Sequence, residues 1–410
     1  MARVLVLPLL LLAFLVPSVA QASPRPGDVV PGSYIVTLDA EAPASVAADH
    51  AGRHGAVVDQ VYRHALRGYA ARMSASQARA VAADPRVVAV EQDRIVTTQA
   101  KPGGDQTAQV QTLPTGIDRV DGELSSAASG DGDGAVSVDV AVIDTGIDVD
   151  HPDLNVVGGK NCVRGPNTFD DGNGHGTHVA GTVAAKDDGN GVVGVAPGAR
   201  LWAVRVLDNR GSGTTSSVIC GIDYVTANAG TIEVANMSLG GSGTDSVCGG
   251  SDSYHNAICK SVNAGVTYAV AAGNSATDAS TSRPATYDEV ITVSALADFN
   301  GQPGGGAAST CRSDVDDTFA DFSNYGADVD LIAPGVCINS TWLSGGYNTI
   351  SGTSMASPHV AGAAALYKAS NPGASPAQVK SALQAAGNTD WDNADDGDAI
   401  KETLLNVAAL

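Results

Sequence analysis

Two patterns of apolar spacing divide the chain. Between Ser33 and Val96 apolar residues come in short runs interleaved with polar ones. Ser33–Leu38 alternates apolar and polar positions, the period of a half-buried strand. Pro43–His54 reads as an amphipathic helix, and Ala56–Tyr62 and Gly68–Met73 as paired strands. Ser74–Ala83 reads as a second helix with Ser74 at its cap, and Val87–Asp93 as a last strand. The predicted order β-α-β-β-α-β is that of a small α+β, ferredoxin-like unit.

From about Leu113 to Leu410 the runs are longer and more continuously apolar. Strands are predicted at Val138–Ile143, Arg200–Val206, Glu233–Ser238, Thr267–Ala271, Val290–Ser294 and Asp330–Ala333. Helices are predicted at His175–Ala185, Thr215–Asn228, Ser253–Ala264, Thr353–Ala369 and Ser375–Ala385. Uninterrupted Val/Ile strands between helices imply an α/β fold, a parallel sheet covered on both faces. Ligands of such sheets bind beyond the carboxyl ends of the strands, where Asp144 and Asn274 fall.

The length of 410 residues accommodates both units. The formal charge is −21 and no basic cluster is present, which excludes nucleic acid as a partner class. Met1–Ala22 reads as a secretory signal, with Arg3, an apolar core Val4–Val16 and a small-x-small cut at Ala20-Gln21-Ala22. The run is short for a spanning helix and no other candidate exists, so the mature chain is expected to be a secreted, extracellular monomer free of the membrane. Residues 99–112, polar and carrying Lys101-Pro102-Gly103-Gly104, read as a linker between the units at 33–98 and 113–410.

All six cysteines lie in the second unit, and six allow 15 pairings. Their even number in an exported chain points to disulfides. Cys248–Cys259 is the first choice, because the loop between them is short and rich in Gly and Ser. Cys311–Cys337 and Cys162–Cys220 follow. The lack of any C-x-x-C pair argues against zinc.

The candidate chemistry centres on Gly352-Thr353-Ser354-Met355-Ala356-Ser357-Pro358-His359, which opens an Ala-rich buried helix. Backbone N–H groups in a first helical turn lack intrahelical partners and favour developing negative charge. A serine placed there can attack a carbonyl while its oxyanion is stabilised, although Ser354 alone is more readily explained as a helix cap. Two other stretches change the balance. Val140–Asp144 is an apolar strand ending in a carboxylate and the turn Thr145-Gly146. Asn173-Gly174-His175-Gly176-Thr177-His178 is a glycine-flanked histidine opening a second small-residue helix. An aspartic protease also uses Asp-Thr-Gly, but no second such turn follows a strand here, as its paired carboxylates would need.

These three stretches, in the order Asp, His, Ser, resemble the catalytic signatures of the subtilisin-like serine proteases, the subtilases. The resemblance runs from about Tyr34 to the C-terminus. It implies a subtilisin-like three-layer fold and a secreted serine endopeptidase that cuts protein or peptide substrates through an acyl-enzyme. Ser354 would be the nucleophile, His175 the base and Asp144 its orienting carboxylate; Asn274, in Ala271-Ala272-Gly273-Asn274-Ser275, would donate to the oxyanion. Gly211, Ser212 and Gly213, with Ser238, Leu239 and Gly240, match segments that clamp an extended peptide. Ala272 and Gly273 would help line the pocket before the cut bond, and these small neutral residues imply an apolar or aromatic preference unless a loop near Asp298 or Asp314 adds a carboxylate. The first unit resembles the propeptide that acts as intramolecular chaperone and inhibitor and is cut off within residues 99–112. Asp153, Asp188, Asn190 and Val192 match a structural calcium site; the further ligand such sites take from near the mature N-terminus is not identifiable.

Overall fold

The computed structural model describes residues 25–106, 110–398 and 400–410, so the expected signal segment Met1–Ala22 lies outside the described residues. The N-terminal unit is a four-stranded antiparallel sheet with two helices on one face. Strand Val29–Leu38 lies between Gly68–Arg72 and Val87–Thr98, and Val57–Tyr62 flanks Gly68–Arg72. Alternation sorts the strand residues. Tyr34, Val36 and Leu38 enter a core with Val46, Tyr69 and Val81, while Ile35 and Ala70 face the larger unit. Helix Ala75–Ala82 starts as expected, with a reciprocal capping box between Ser74 and Gln77.

The larger unit is built on an eight-stranded sheet. Its path runs Thr318–Phe319, Ile291–Ala297, Thr267–Ala271, Val234–Met237, Asp139–Asp144, Arg200–Arg205 and Val156–Asn161, with Leu331–Pro334 paired to Ile291–Ala297. All these pairings are parallel except that of Thr318–Phe319. Strand Asp139–Asp144 is buried throughout, so both faces carry apolar side chains. Val140 and Val142 face one core with Val179 and Val183 of helix His175–Ala184 and Val360 of helix Thr353–Ser370. Ala141 and Ile143 face the other, with Ile219 and Ile222 of helix Thr215–Ala227 and Ile258 of helix Ser253–Asn263. The three layers are thus helices, sheet and helices. No helix among the described residues is long and apolar enough to cross a membrane.

The N-terminal sheet docks on the helices Thr215–Ala227 and Ser253–Asn263. Its apolar residues Ile35, Tyr62, Leu66 and Val96 join the core beneath. Two carboxylates of its last strand meet the starts of the helices, where N–H groups lack partners. Asp93 accepts from the Ser216 backbone at 2.9 Å and from the Ser216 hydroxyl at 2.5 Å. Glu91 accepts from the Ser253 backbone at 2.9 Å and from its hydroxyl. Each adds a carboxylate from another unit to a helix start whose own cap is Thr214 or Asp252. Reciprocally, Asp223 accepts from the backbone of His64 at 2.6 Å and of Ala65 at 2.8 Å.

Candidate active site

Asp144 is the last residue of its strand and fully buried. Its Oδ1 accepts from the Thr145 backbone at 2.7 Å and lies 2.7 Å from His175 Nδ1. His175 opens its helix after Gly174, whose φ of +105° disfavours a side chain and where a Cβ would stand 2.5 Å from the Trp342 ring. A Cβ at Gly176 would stand 2.1 Å from the Gly146 carbonyl, so the glycine lets the helix press against the Asp144 turn. Thr145 Oγ1 ties the two by accepting from Gly176 N at 2.9 Å. The carboxylate contact fixes Nδ1 as the protonated nitrogen and leaves Nε2 as acceptor. Nε2 is buried and without a hydrogen-bond partner among the described residues.

His178, one helical turn on, has a different setting. Its Nε2 sits 3.0 Å from the Ile338 carbonyl and 3.1 Å from that of Asn348, and burial pushes its pKa down to about 3. A neutral ring donating to two carbonyls is a packing element, not a base.

Ser354 lies in the first turn of helix Thr353–Ser370 and is buried. Its hydroxyl donates to the Ser238 carbonyl at 3.0 Å and accepts from Gln99 N at 3.0 Å. Its own backbone N–H donates to the Gln99 carbonyl at 3.1 Å. The last strand of the N-terminal unit therefore runs through the cleft. Ile95–Thr97 pairs antiparallel with Ser212–Thr214, and Thr97 and Thr98 pair with Gly240 and Leu239. Thr98 N also donates to the Gly211 carbonyl at 3.0 Å. Gly211, Ser212, Gly213, Ser238, Leu239 and Gly240 are thus brought around one extended strand, as in β-augmentation. Beyond Gln99, Lys101–Gln106 continues as a strand paired with Gly346–Ser351, so the expected linker is partly structured.

Asn274 stands beside Gly352. Its Oδ1 accepts from Thr353 N and Thr353 Oγ1, both at 2.9 Å, which turns Nδ2 toward Gly352. A Cβ on Gly352 would be 3.1 Å from Asn274 Nδ2 and 2.3 Å from the Gln99 oxygen. The missing Cβ thereby leaves space for the Gln99 carbonyl, which Ser354 N holds, near the Asn274 amide. Thr353 Oγ1 accepts in turn from Gly273 N at 3.1 Å. Ala272 is buried, and its carbonyl accepts from Asn324 Nδ2 at 2.9 Å. Asn324 Oδ1 accepts from Ser275 N at 3.0 Å, which fixes the Asn274 loop from behind. Thr353 and Asn324 were not singled out from the sequence. Thr353 had a signal, its place beside the serine, whereas Asn324 had none. Asp298 and Asp314 lie in ion pairs, with Arg119 at 3.3 Å and Arg312 at 2.8 Å.

The residues expected to hold calcium are only partly assembled. Asp153 is buried; its Oδ2 accepts from Val192 N at 3.1 Å and Tyr347 Oη at 3.2 Å, and its Oδ1 has no partner among the described residues. Burial pushes its pKa up to about 7. A buried carboxylate oxygen left unpaired fits a cation. Asp188 and Asn190 are exposed and bonded to each other, Asn190 Nδ2 donating to Asp188 Oδ1 at 3.1 Å. Gln111 joins the loop unforeseen, its Oε1 accepting from Gly189 N at 2.6 Å and from Asp188 N at 3.0 Å. Disulfides link Cys162 to Cys220, Cys248 to Cys259 and Cys311 to Cys337.

Comparison with known proteins places this geometry. Residues 136–399 match the model of the subtilase family, and residues 33–99 match that of the peptidase inhibitor I9 family. The chain is 41% identical over 302 residues to subtilisin DY of Bacillus licheniformis, covering 73% of this chain and 98% of that one. It is 40% identical over 343 residues to alkaline serine exoprotease A of Vibrio alginolyticus, covering 82% of this chain but only 58% of that longer protein. An extracellular serine proteinase of a Thermus species is 42% identical over 341 residues, 81% of this chain and 73% of its own. Among solved structures, a cold adapted subtilisin-like serine proteinase superposes with a TM-score of 0.58 at 37% identity, covering 72% of this chain and 97% of that one.

Proposed function

We propose that this chain, which belongs to the subtilase family and is a serine endopeptidase, is a secreted proenzyme that cuts itself between Gln99 and Ala100. The observation that carries the proposal is the Gln99 carbonyl, held by Ser354 N at 3.1 Å beside the Asn274 amide. Ser354 is the nucleophile. Its hydroxyl must turn from the Ser238 carbonyl toward His175 Nε2, the buried acceptor that takes its proton. Asp144 holds the ring and stabilises the imidazolium that results. The oxyanion forms between Ser354 N and Asn274 Nδ2, and His175 then protonates the leaving amine of Ala100. Water completes hydrolysis of the acyl-enzyme by the same steps. Other substrates would bind as Ile95–Gln99 does, as a strand between Ser212–Thr214 and Leu239–Ser242. After the cut the N-terminal unit remains as an inhibitor. Calcium, where bound, would be held by Asp153 and the loop carrying Asp188, Asn190 and Val192, and its role would be to stiffen that loop.

The test is the N-terminal sequence and mass of the exported wild type beside Ser354→Ala. A wild type that starts at Ala100 while Ser354→Ala keeps the Gln99–Ala100 bond is expected. If both forms are cut alike, another protease matures the chain. Labelling by a fluorophosphonate, lost in Ser354→Ala, and insensitivity to pepstatin-type inhibitors would separate this reading from a dead fold and from an aspartic protease.

A further inference from the structure

Strand Val234–Met237 lies inside the parallel sheet, between Asp139–Asp144 and Thr267–Ala271. Its Val234, Ala235 and Met237 are buried and apolar, yet between them stands Asn236, fully buried as well. A buried amide is costly unless both its ends are bonded. Its Oδ1 accepts from Ser357 Oγ at 2.7 Å, and its Nδ2 donates to Ser238 Oγ at 2.9 Å. The Ser238 hydroxyl, already an acceptor, gives its one proton to the Ser354 carbonyl at 2.8 Å. The donors thus run in one direction, from Ser357 through Asn236 and Ser238 to the backbone of Ser354. Ser354 and Ser357 are three positions apart on helix Thr353–Ser370, so this chain of bonds grips one face of the first turn at two points. All four residues are fully buried.

The backbone of Ser238 meets Ser354 a second time. Its carbonyl accepts from Ser354 Oγ at 3.0 Å, and Gln99 N, itself 3.0 Å from Ser354 Oγ, donates to the same carbonyl at 3.4 Å. We propose that Asn236 is a positioning residue for the chemistry of Ser354, acting through Ser238. This rests on the reading of Ser354 as the nucleophile. With Asn236 in place, Ser238 holds the Ser354 backbone in one orientation and offers the hydroxyl a resting acceptor. A bound substrate brings its own N–H to that acceptor, and the hydroxyl turns to His175 Nε2. Without Asn236 the Ser238 hydroxyl loses its donor, and the first turn of the helix is released at both points. Displacing a reacting group by about 1 Å costs on the order of 10²-fold in rate. An amide suits the place because it offers an acceptor to Ser357 and a donor to Ser238. A carboxylate of the same shape has no N–H for Ser238.

The test compares the wild type with Asn236→Ala, each refolded as the full-length chain. The first-order rate of self-cutting should fall by about 10–100-fold. On a chromogenic peptide, after release of the N-terminal unit, kcat should fall by the same factor. KM should stay within about twofold, because the backbone edges that bind the peptide are untouched. A fluorophosphonate should label the same final fraction of sites, only more slowly. Ser238→Ala and Ser357→Ala break the bonds on either side of Asn236 without emptying the strand, so they carry the test even where Asn236→Ala does not fold. Each should reproduce the fall in kcat, and the two together should be no slower than the slower one alone. The proposal is overturned by a kcat within about twofold of wild type in these two variants, or by a rise in KM with kcat unchanged. Losses that multiply in the double variant, or a smaller labelled fraction at an unchanged labelling rate, overturn it equally. Labelling that survives Ser354→Ala would instead remove the nucleophile itself, and the role of Asn236 with it.

Discussion

The carbonyl oxygen of Gln99 accepts a hydrogen bond from the backbone N–H of Ser354 at 3.1 Å, next to Gly352, which the Asn274 amide also faces. Replacing Asn274 by alanine removes one of two donors and leaves the strand pairing of residues 95–98 untouched. The rate of self-cutting in refolded full-length protein should fall by about 10²–10³, a range whose reference case is itself a subtilisin. The amount of folded precursor should not change. A fall of less than about fivefold would remove Asn274 from the oxyanion site.

Asp93 should govern how long the cut N-terminal unit stays bound. It accepts from Ser216 in the first turn of helix Thr215–Ala227, and loss of a cap-like carboxylate there costs about 0.5–2 kcal/mol. In Asp93→Ala the lag between cutting and the appearance of activity should shorten by roughly 2–30-fold. The lag is read on a chromogenic peptide after dilution of the processed complex. An unchanged lag would mean that apolar contacts alone hold the unit.

Calcium should stabilise the fold through Asp153. At a hundredfold excess over its dissociation constant, a bound ion contributes about 2.7 kcal/mol, or roughly 5–10 °C in Tm. The Ser354→Ala chain melted in calcium and in chelator should show that gap, and Asp153→Asn should abolish it. A gap that survives in Asp153→Asn would place the ion elsewhere.

Glu402 predicts an alkaline liability. It is buried, both its oxygens lack partners among the described residues, and burial, then Asp396 and Asp398, pushes its pKa from 4.5 up to about 8. The folded carboxyl thus titrates above its unfolded value. Its contribution to stability is whole below about pH 4.5 and is lost as the pH rises to about 8, a change on the order of 5 kcal/mol. Glu402→Gln cannot ionise, so denaturant melts should show it gaining on the parent between pH 5 and 8. Parallel curves for the two forms would remove the effect.

The elements and the chemical residues were legible in the sequence because each rests on local pattern. Val140–Ile143 is uniformly apolar, Gly352-Thr353-Ser354 opens a helix, and Gly174 precedes a histidine. What escaped depends on juxtaposition across the chain. Asn324 bonds residues 47 and 49 positions away, and Glu91 reaches Ser253 over 162 positions. Gln111 meets the Asp188 loop over 77 positions. A lone Asn, Glu or Gln in a polar stretch carries no periodicity to mark such a partner. The apolar pattern ends the last N-terminal strand at Asp93, because the polar Thr97 and Thr98 gain their strand partners only from the other unit.

The strand that fills the cleft has a consequence for when the enzyme works. While the N-terminal unit remains covalently joined, the presence of Ile95–Gln99 in the cleft does not depend on how much protein is made. A tethered segment of this kind experiences an effective concentration that reaches the millimolar range for a short link. Once the chain is cut, the same contacts obey mass action, and occupancy falls as the two pieces spread into a larger volume. If the chain is cut as proposed, the fold would couple proteolysis to escape: crowded at its source the enzyme would stay silent, and spreading into open surroundings would turn it on.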